Sequence, residues 1–193
     1  DNDIACTEYT IGYDTAMNTT MEMVDKLRDT AQSHDRCSVV EVMGRRAGYI
    51  ALNAGIACGA TYIVVPEIGL DMDAMLNKIK AAKALGKRYF IIMVAEGVGH
   101  VDEIAERIEK ETGIESRSTV LGHVQRGGSP TVTDRVVASQ MGFHAVELLK
   151  KGIGNRVVAQ QAGKIVDFDI QEALSMKKEF PLDLYNIAND ISF

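Results

Sequence analysis

Arg88-Tyr89-Phe90-Ile91-Ile92-Met93-Val94-Ala95, running into Glu96-Gly97-Val98-Gly99, decides the fold. The unbroken apolar run over 89–94 reads as a strand covered on both faces, which implies a parallel sheet sandwiched between helices. Glycines follow at once, and 101–112 then places Ile104, Ala105 and Ile108 at helical spacing before Gly113 stops the helix. Strand, glycine turn and helix make one βα unit. Working outward, the unit recurs. The run 37–42 ends in Met43-Gly44-Arg45-Arg46-Ala47-Gly48 and leads into a small-residue helix over 48–57. A β-branched run over 62–65 is closed by Pro66, and a helix over 72–85 follows, with Asp71 as its N-cap and Gly86 at its stop. The run 115–121 reads as a further strand and the segment 133–149 as a long helix.

An amphipathic helix over 15–31 precedes these units, its stripe made of Met17, Met21, Val24, Leu27 and Ala31, with the methionines acting as core filler. Beyond the long helix the pattern changes. The runs 156–161 and 164–167 about Ala162-Gly163 read as a hairpin, and short helices over 171–177 and 182–188 complete the chain. The fold class is therefore α/β: a parallel sheet of Rossmann-like βα units with right-handed crossovers, flanked by helices, plus a C-terminal hairpin and short helices.

Composition narrows the function classes. With 193 residues, 46% hydrophobic and 25% charged, the chain can bury one sizeable core or two small ones. A net charge of −6, with no basic run interleaved with aromatics, argues against nucleic-acid binding. No apolar run approaches membrane-spanning length. Cys6, Cys37 and Cys58 are odd in number and at no metal-ligand spacing. They read as reduced, small hydrophobes of a cytoplasmic protein, with no metal site expected.

The chemistry gathers where strands end. Leu121-Gly122-His123-Val124-Gln125-Arg126-Gly127-Gly128-Ser129-Pro130 puts an imidazole, an amide and a guanidinium on a glycine-rich turn between a strand and a helix. In a parallel sheet the carboxyl ends of the strands share one edge, so Arg45, Glu96, His123 and Arg126 are expected to converge on a single crevice. Guanidiniums bind phosphate through paired planar bonds, and a carboxylate accepts from sugar hydroxyls, so the expected ligand is a phosphorylated polyol. On spacing alone Glu96 could equally cap the helix after it. Arg36, beside His34 and Asp35, reads as a surface residue, and Arg117 as an exposed strand position paired with Glu115 or Asp102.

Asp1-Asn2-Asp3, Thr10-Ile11-Gly12-Tyr13-Asp14-Thr15-Ala16, Glu41-Val42-Met43-Gly44-Arg45, Val94-Ala95-Glu96-Gly97 and Leu121 to Pro130 follow one another along the chain. Together they resemble the carboxyl-terminal part of the bacterial-type ATP-dependent 6-phosphofructokinases. The resemblance implies transfer of a phosphoryl group from ATP to the 1-hydroxyl of fructose 6-phosphate, a glycolytic step. It implies Asp1 as the general base, Asp3 in the same catalytic turn, and Arg45 stabilising the moving phosphoryl group. Met43, Gly44 and Glu96 would contact the sugar, while Arg36, Arg117, His123 and Arg126 would hold the 6-phosphate. Arg36 and Arg117 would reach into a neighbouring subunit, which implies a homotetramer.

By the same resemblance, 13–125 with 179–193 forms the fructose 6-phosphate-binding domain, and 1–12 with 126–178 is a remnant of the nucleotide-binding domain. A chain opening on Asp1 without an initiator Met is expected to be cut from something longer. The phosphate-cradling loops for ATP and the Mg²⁺ ligand would lie upstream, so the isolated chain is expected to be inactive, and 126–178 to expose apolar surface that makes it poorly soluble. Arg28, Gly59 and Lys87 stand where an effector site for ADP or phosphoenolpyruvate would be, but Thr61 replaces a usually acidic residue and Leu85 a usually basic one. Weakened allosteric control is expected. Two other readings remain: a pyrophosphate-dependent enzyme, and a non-catalytic sugar-phosphate-binding module that kept the pocket without the transfer.

Overall fold

A computed structural model describes residues 2–32 and 35–192. Four strands, β1 (Cys37–Val42), β2 (Tyr62–Val64), β3 (Phe90–Ala95) and β4 (Ser116–Val120), form one sheet in the order β2-β3-β1-β4. All three pairings are parallel. Seven helices are described: α1 (Tyr13–Gln32), α2 (Tyr49–Ala57), α3 (Met72–Ala84), α4 (Val101–Thr112), α5 (Val132–Lys150), α6 (Ile170–Ser175) and α7 (Leu182–Ile191). The last two strands, β5 (Arg156–Gln161) and β6 (Lys164–Asp169), pair antiparallel as a separate hairpin.

The two-sided burial expected of 89–94 is realised in β3, where every residue is buried. Side chains alternate across the sheet, as the strand period of two requires. Ile91, Met93 and Ala95 join Val40 and Val42 in a core under α1, α2 and α7, while Phe90, Ile92 and Val94 join Cys37 and Val39 in a second core under α3 and α4. The stripe of α1 lies on the first core, with Val24 buried and Met17, Met21 and Leu27 packed against it. All three cysteines are buried and free, and burial pushes the Cys37 thiol up to about 12.

Helix boundaries obey their caps. Asp71 accepts from Ala74 N at 2.9 Å to open α3, and Gly113, left-handed at φ 67°, closes α4. The hairpin turn puts Ala162 at φ 47° and Gly163 at φ 73°, the paired positive angles that match strand twist in a two-residue loop.

The glycine-rich turn after β4 is a 3-10 turn, Gly122–Arg126. Two expectations need correction. The strand expected over 164–167 runs on to Asp169, and the helix expected over 171–177 is only Ile170–Ser175, because Met176 is extended. The second sheet has a thin core, made of Cys6, Ala159 and Ala173 with flanking side chains. Above it α5 buries Asp134, Val137 and Met141 but leaves Val132, Val136, Phe143, Val146 and Leu149 in solvent. No helix among the described residues is long and apolar enough to cross a membrane.

Candidate functional site

A crevice of about 520 Å³ opens at the carboxyl edge of β1 and β3. The loop after β1 supplies Met43, Gly44 and Arg45, the loop after β3 supplies Glu96, and the 3-10 turn after β4 supplies Gln125 and Arg126. The heads of α1 and α5 close the far wall with Gly12, Thr15, Asp134 and Arg135. Carboxyl ends of strands do meet here, as the topology requires.

The β1–α2 loop is pinned from outside. Glu96 Oε1 accepts from Gly44 N at 2.9 Å and from Arg45 N, so Glu96 secures the loop after β1 rather than capping α4. Both bonds use one oxygen, and the other can serve a ligand hydroxyl. Arg45 sits in the left-handed region at φ 54°, a conformation costing a non-glycine residue ~1–2 kcal/mol, which these bonds offset. Glu67 takes the Gly48 N–H at 2.9 and 3.1 Å, fixing the loop's other end. Two glycines permit the close approach. A Cβ on Gly44 would stand 2.6 Å from Ala47 O, and one on Gly97 would stand 2.6 Å from Arg45 O. Gly97→Ala will therefore push the Arg45 loop aside and cost ~1–3 kcal/mol, read as a lower urea midpoint with an unchanged slope.

The far wall turns on Asp134, 2% exposed at the third position of α5. Its Oδ1 accepts from Tyr9 OH and from Gly12 N at 2.8 Å, and its Oδ2 from Thr15 N at 2.9 Å and from Thr15 Oγ1. The heads of α1 and α5 are stitched further by Thr131 N to Thr15 Oγ1 at 3.2 Å and Thr131 Oγ1 to Asp14 Oδ2 at 2.7 Å. Burial raises the Asp134 carboxyl, but the bonds from Thr15, Tyr9 and Gly12 outweigh it and hold the group below its ordinary value. Burial and the same carboxylate push the Tyr9 phenol up.

Of the expected site residues, Met43, Gly44, Arg45, Glu96 and Arg126 are brought together in the crevice. His123 is not. The 3-10 turn coils at about three residues per turn, so its side chains cannot all face one way. Gln125 takes the buried place, while His123 and Val124 are exposed on the outer side. Asp3 is half-buried beside the lining residue Asn2, close enough to Lys178 to act on its charge. Asp1 lies outside the described residues.

Arg36 and Arg117 stand at the opposite edge of the sheet. Arg36 directly precedes β1 and Arg117 pairs in register with Ser38, a strand length of about 20 Å from the crevice. Glu115 joins them, forming an ion pair with Arg36 Nε at 2.9 Å and accepting from Arg117 Nη2 at 2.9 Å, and the two guanidiniums hold its carboxyl below the ordinary value.

Arg28, Gly59 and Lys87 also gather at that opposite edge. A second crevice of about 570 Å³ is lined by Gly59, Lys87, Leu85, Ile56 and Ile191. Arg28 bonds Cys58 O beside it and pairs with Asp25 at 3.4 Å. Burial, and then Arg28, lower the Lys87 pKa.

Sequence reasoning missed Asn2, Thr15 and Asp134 as parts of the site, and noted the Gln125 amide on the glycine-rich turn without placing it in the crevice. Of the three, only Asp134 left a local signal. Thr131-Val132-Thr133-Asp134 after Pro130 has capping-box spacing, and Thr131 is indeed the N-cap, accepting from Asp134 N at 3.3 Å.

Three cations, Arg45, Arg126 and Arg135, and the free oxygen of Glu96 thus face one cavity of small-molecule size. Among the described residues no group of three or more His, Cys, Asp or Glu could hold a metal ion. The phosphofructokinase family model matches residues 1–149. The ATP-dependent 6-phosphofructokinase of Brevibacillus brevis is 54% identical over 192 residues, covering 100% of this chain. This chain spans 60% of that relative's length. The solved phosphofructokinase of Saccharomyces cerevisiae superposes with a TM-score of 0.87 at 32% identity, over 100% of this chain and 28% of that one. A pyrophosphate-dependent phosphofructokinase of Marinobacter aquaeolei shares the fold, with a TM-score of 0.72 at 22% identity over 90% of this chain and 49% of its own. Since the matched family model takes in every strand of the parallel sheet and all the crevice residues named above, this chain belongs to the phosphofructokinase family.

Proposed function

We propose that the crevice binds fructose 6-phosphate and that, within a longer polypeptide, this chain serves ATP-dependent 6-phosphofructokinase activity. One observation carries the reading: three separate strand ends deliver Met43 to Arg45, Glu96 and Arg126 to one cavity. Arg126 and Arg45 are the anion-binding ends, and Glu96 is the hydroxyl acceptor between them. Phosphoryl transfer needs positioning and charge neutralisation more than covalent help, and an arginine on a rigidly pinned loop suits that need. Asp1, with Asp3 in the same turn, is the proposed base that takes the proton from the 1-hydroxyl. Arg36 and Arg117, too far to serve their own crevice, are the proposed phosphate ligands of a neighbouring copy in a homotetramer, with His123 a ligand supplied by the outer side of the turn.

In this reading 13–125 with 179–193 is the sugar-phosphate domain, while 1–12 with 126–178 belongs to the nucleotide domain, whose remainder covers the exposed face of α5. Mg²⁺ accompanies ATP, but the described residues do not fit a metal site and no step here runs through one. The second crevice is the proposed effector site for ADP or phosphoenolpyruvate, held by Arg28, Gly59 and Lys87, with Leu85 offering no charge to an anion. The proposed location is the cytoplasm.

The 54% identical relative, named as ATP-dependent, supports ATP over pyrophosphate as donor. The test places residues 1–193 in the matching part of the Brevibacillus brevis enzyme. Fructose 6-phosphate turnover with ATP, held by the host enzyme's loops, is the expected result. Calorimetric binding of fructose 6-phosphate without turnover would leave a binding module. No binding at all would end the reading.

A further inference from the structure

Gln125 is 2% exposed on a turn whose neighbours His123, Val124 and Arg126 are exposed. Its amide faces the main chain of Met43. Met43 N donates to Oε1 at 2.9 Å, and Nε2 reaches Met43 O at 3.5 Å. The parallel ladder between β1 and β4 ends at Leu121 N to Glu41 O, 3.1 Å, and the chain then coils away. The next donor of an ideal ladder is the Met43 N–H, which needs a carbonyl that has turned elsewhere. Gln125 supplies that carbonyl from its side chain, so it extends the ladder by one step after the strand has ended. The loop carrying Arg45 is thereby tied to the residue immediately before Arg126.

We propose that Gln125 is a positioning residue that locks the Arg126 turn to the Arg45 loop, so that the two guanidiniums keep a fixed separation across the bound sugar phosphate. The inference rests on the reading of the crevice as a sugar-phosphate site. No substrate contact is assigned to Gln125 itself. An amide is required because the contact needs an acceptor for Met43 N and a donor toward Met43 O at once. The charged groups around it are His123 and Arg126 on its own turn, Glu41 and Arg45 from β1 and its loop, Glu96 after β3, and Asp134 and Arg135 on α5; the face of α1 packed on the turn brings the neutral Thr15 and Thr19.

Two substitutions in the chimaeric enzyme separate this from simple space filling. Gln125→Glu keeps the acceptor but turns an ionised oxygen toward Met43 O; protonation of the buried carboxyl restores a donor there. Gln125→Met fills similar volume with neither bond. At pH 8 both are expected to lose about 10²-fold in kcat/KM, with kcat falling and KM rising together, the size of effect a ~1 Å misplacement produces. The Gln125→Glu deficit relative to the parent should shrink at least tenfold by pH 6, and the Gln125→Met deficit should not change. Amide exchange of Met43 should quicken in Gln125→Met at unchanged pH. Parent-like kinetics for Gln125→Met, or a Gln125→Glu deficit that ignores pH, would overturn the proposal, as would a lowered melting temperature with neither kinetic effect. A parent chimaera that fails to phosphorylate fructose 6-phosphate would instead refute the sugar-phosphate reading, and Met43 exchange would still decide whether Gln125 holds the loop.

Discussion

Asp134→Ala is expected to lower the unfolding free energy by about 3–5 kcal/mol, because four donors, those of Thr15 buried and those of Tyr9 and Gly12 nearer water, lose bonds to a charged acceptor individually worth ~1.5–3 kcal/mol and partly replaced by water. Those donors are Tyr9 OH, Thr15 Oγ1 and the main-chain N–H groups of Gly12 and Thr15. Asp134→Asn should cost nearly as much. Each carboxylate oxygen accepts one hydroxyl and one main-chain N–H, so an amide in either orientation sets its NH₂ against an N–H that cannot reverse and loses the charge, while the hydroxyl must turn to accept. The acid dependence has a definite sign. The folded carboxyl lies below its ordinary value of 3.8, so its contribution is complete above that value and fades as pH falls through the lower, folded one. Urea titrations of parent and Asp134→Asn should therefore differ most at neutral pH and converge in strong acid. A gap that widened in acid would contradict the hydrogen-bond account of the site's far wall.

Arg45→Ala in the chimaeric enzyme should lower kcat by about 10²–10³-fold, as loss of one preorganised donor to a developing charge typically does. KM for fructose 6-phosphate should change much less, since Arg126 remains. Arg45→Lys should recover only part of the rate. A lysine offers one ammonium where the guanidinium presents a planar pair of donors. Its backbone will not be at fault, because Glu96 binds the main-chain N–H at this position and not the side chain. If steady-state kinetics instead showed a raised KM at unchanged kcat, Arg45 would be a ground-state ligand and the proposed role in transfer would fall.

The parallel sheet was legible because its central strands β1 and β3 are largely apolar and run into glycine turns: β1 occupies the expected span, and β3 follows from Phe90 to Ala95 with no exposed position. Arg45, Glu96 and Arg126 were legible as a group for the same reason, since each directly follows a strand or its turn. Gln125 and Asp134 were not, because their partners are 82 and 119 positions away and no local period encodes that. The 3-10 turn was hidden too. Five residues carry too few side chains to show a repeat, and His123 was expected in the crevice because an apolar strand delivers it straight into the glycine-rich turn. The end of α6 was missed because Met176 is apolar enough to continue a helical stripe, and its extended backbone follows from packing on the small hairpin core.

The amino-terminal strand-like segment docks on the hairpin: Glu8 N donates to Gln160 O at 2.9 Å and Gln160 N to Thr7 Oγ1 at 3.0 Å, a pairing across 153 positions. Segments joined over such a span meet late, since most of the chain must be made and ordered before either can reward the other with contacts. During synthesis the parallel sheet has all its strands well before β5 emerges, so the smaller sheet assembles last, onto a finished neighbour, and hydrogen-exchange labelling during refolding should find Gln160 among the slowest amides to gain protection.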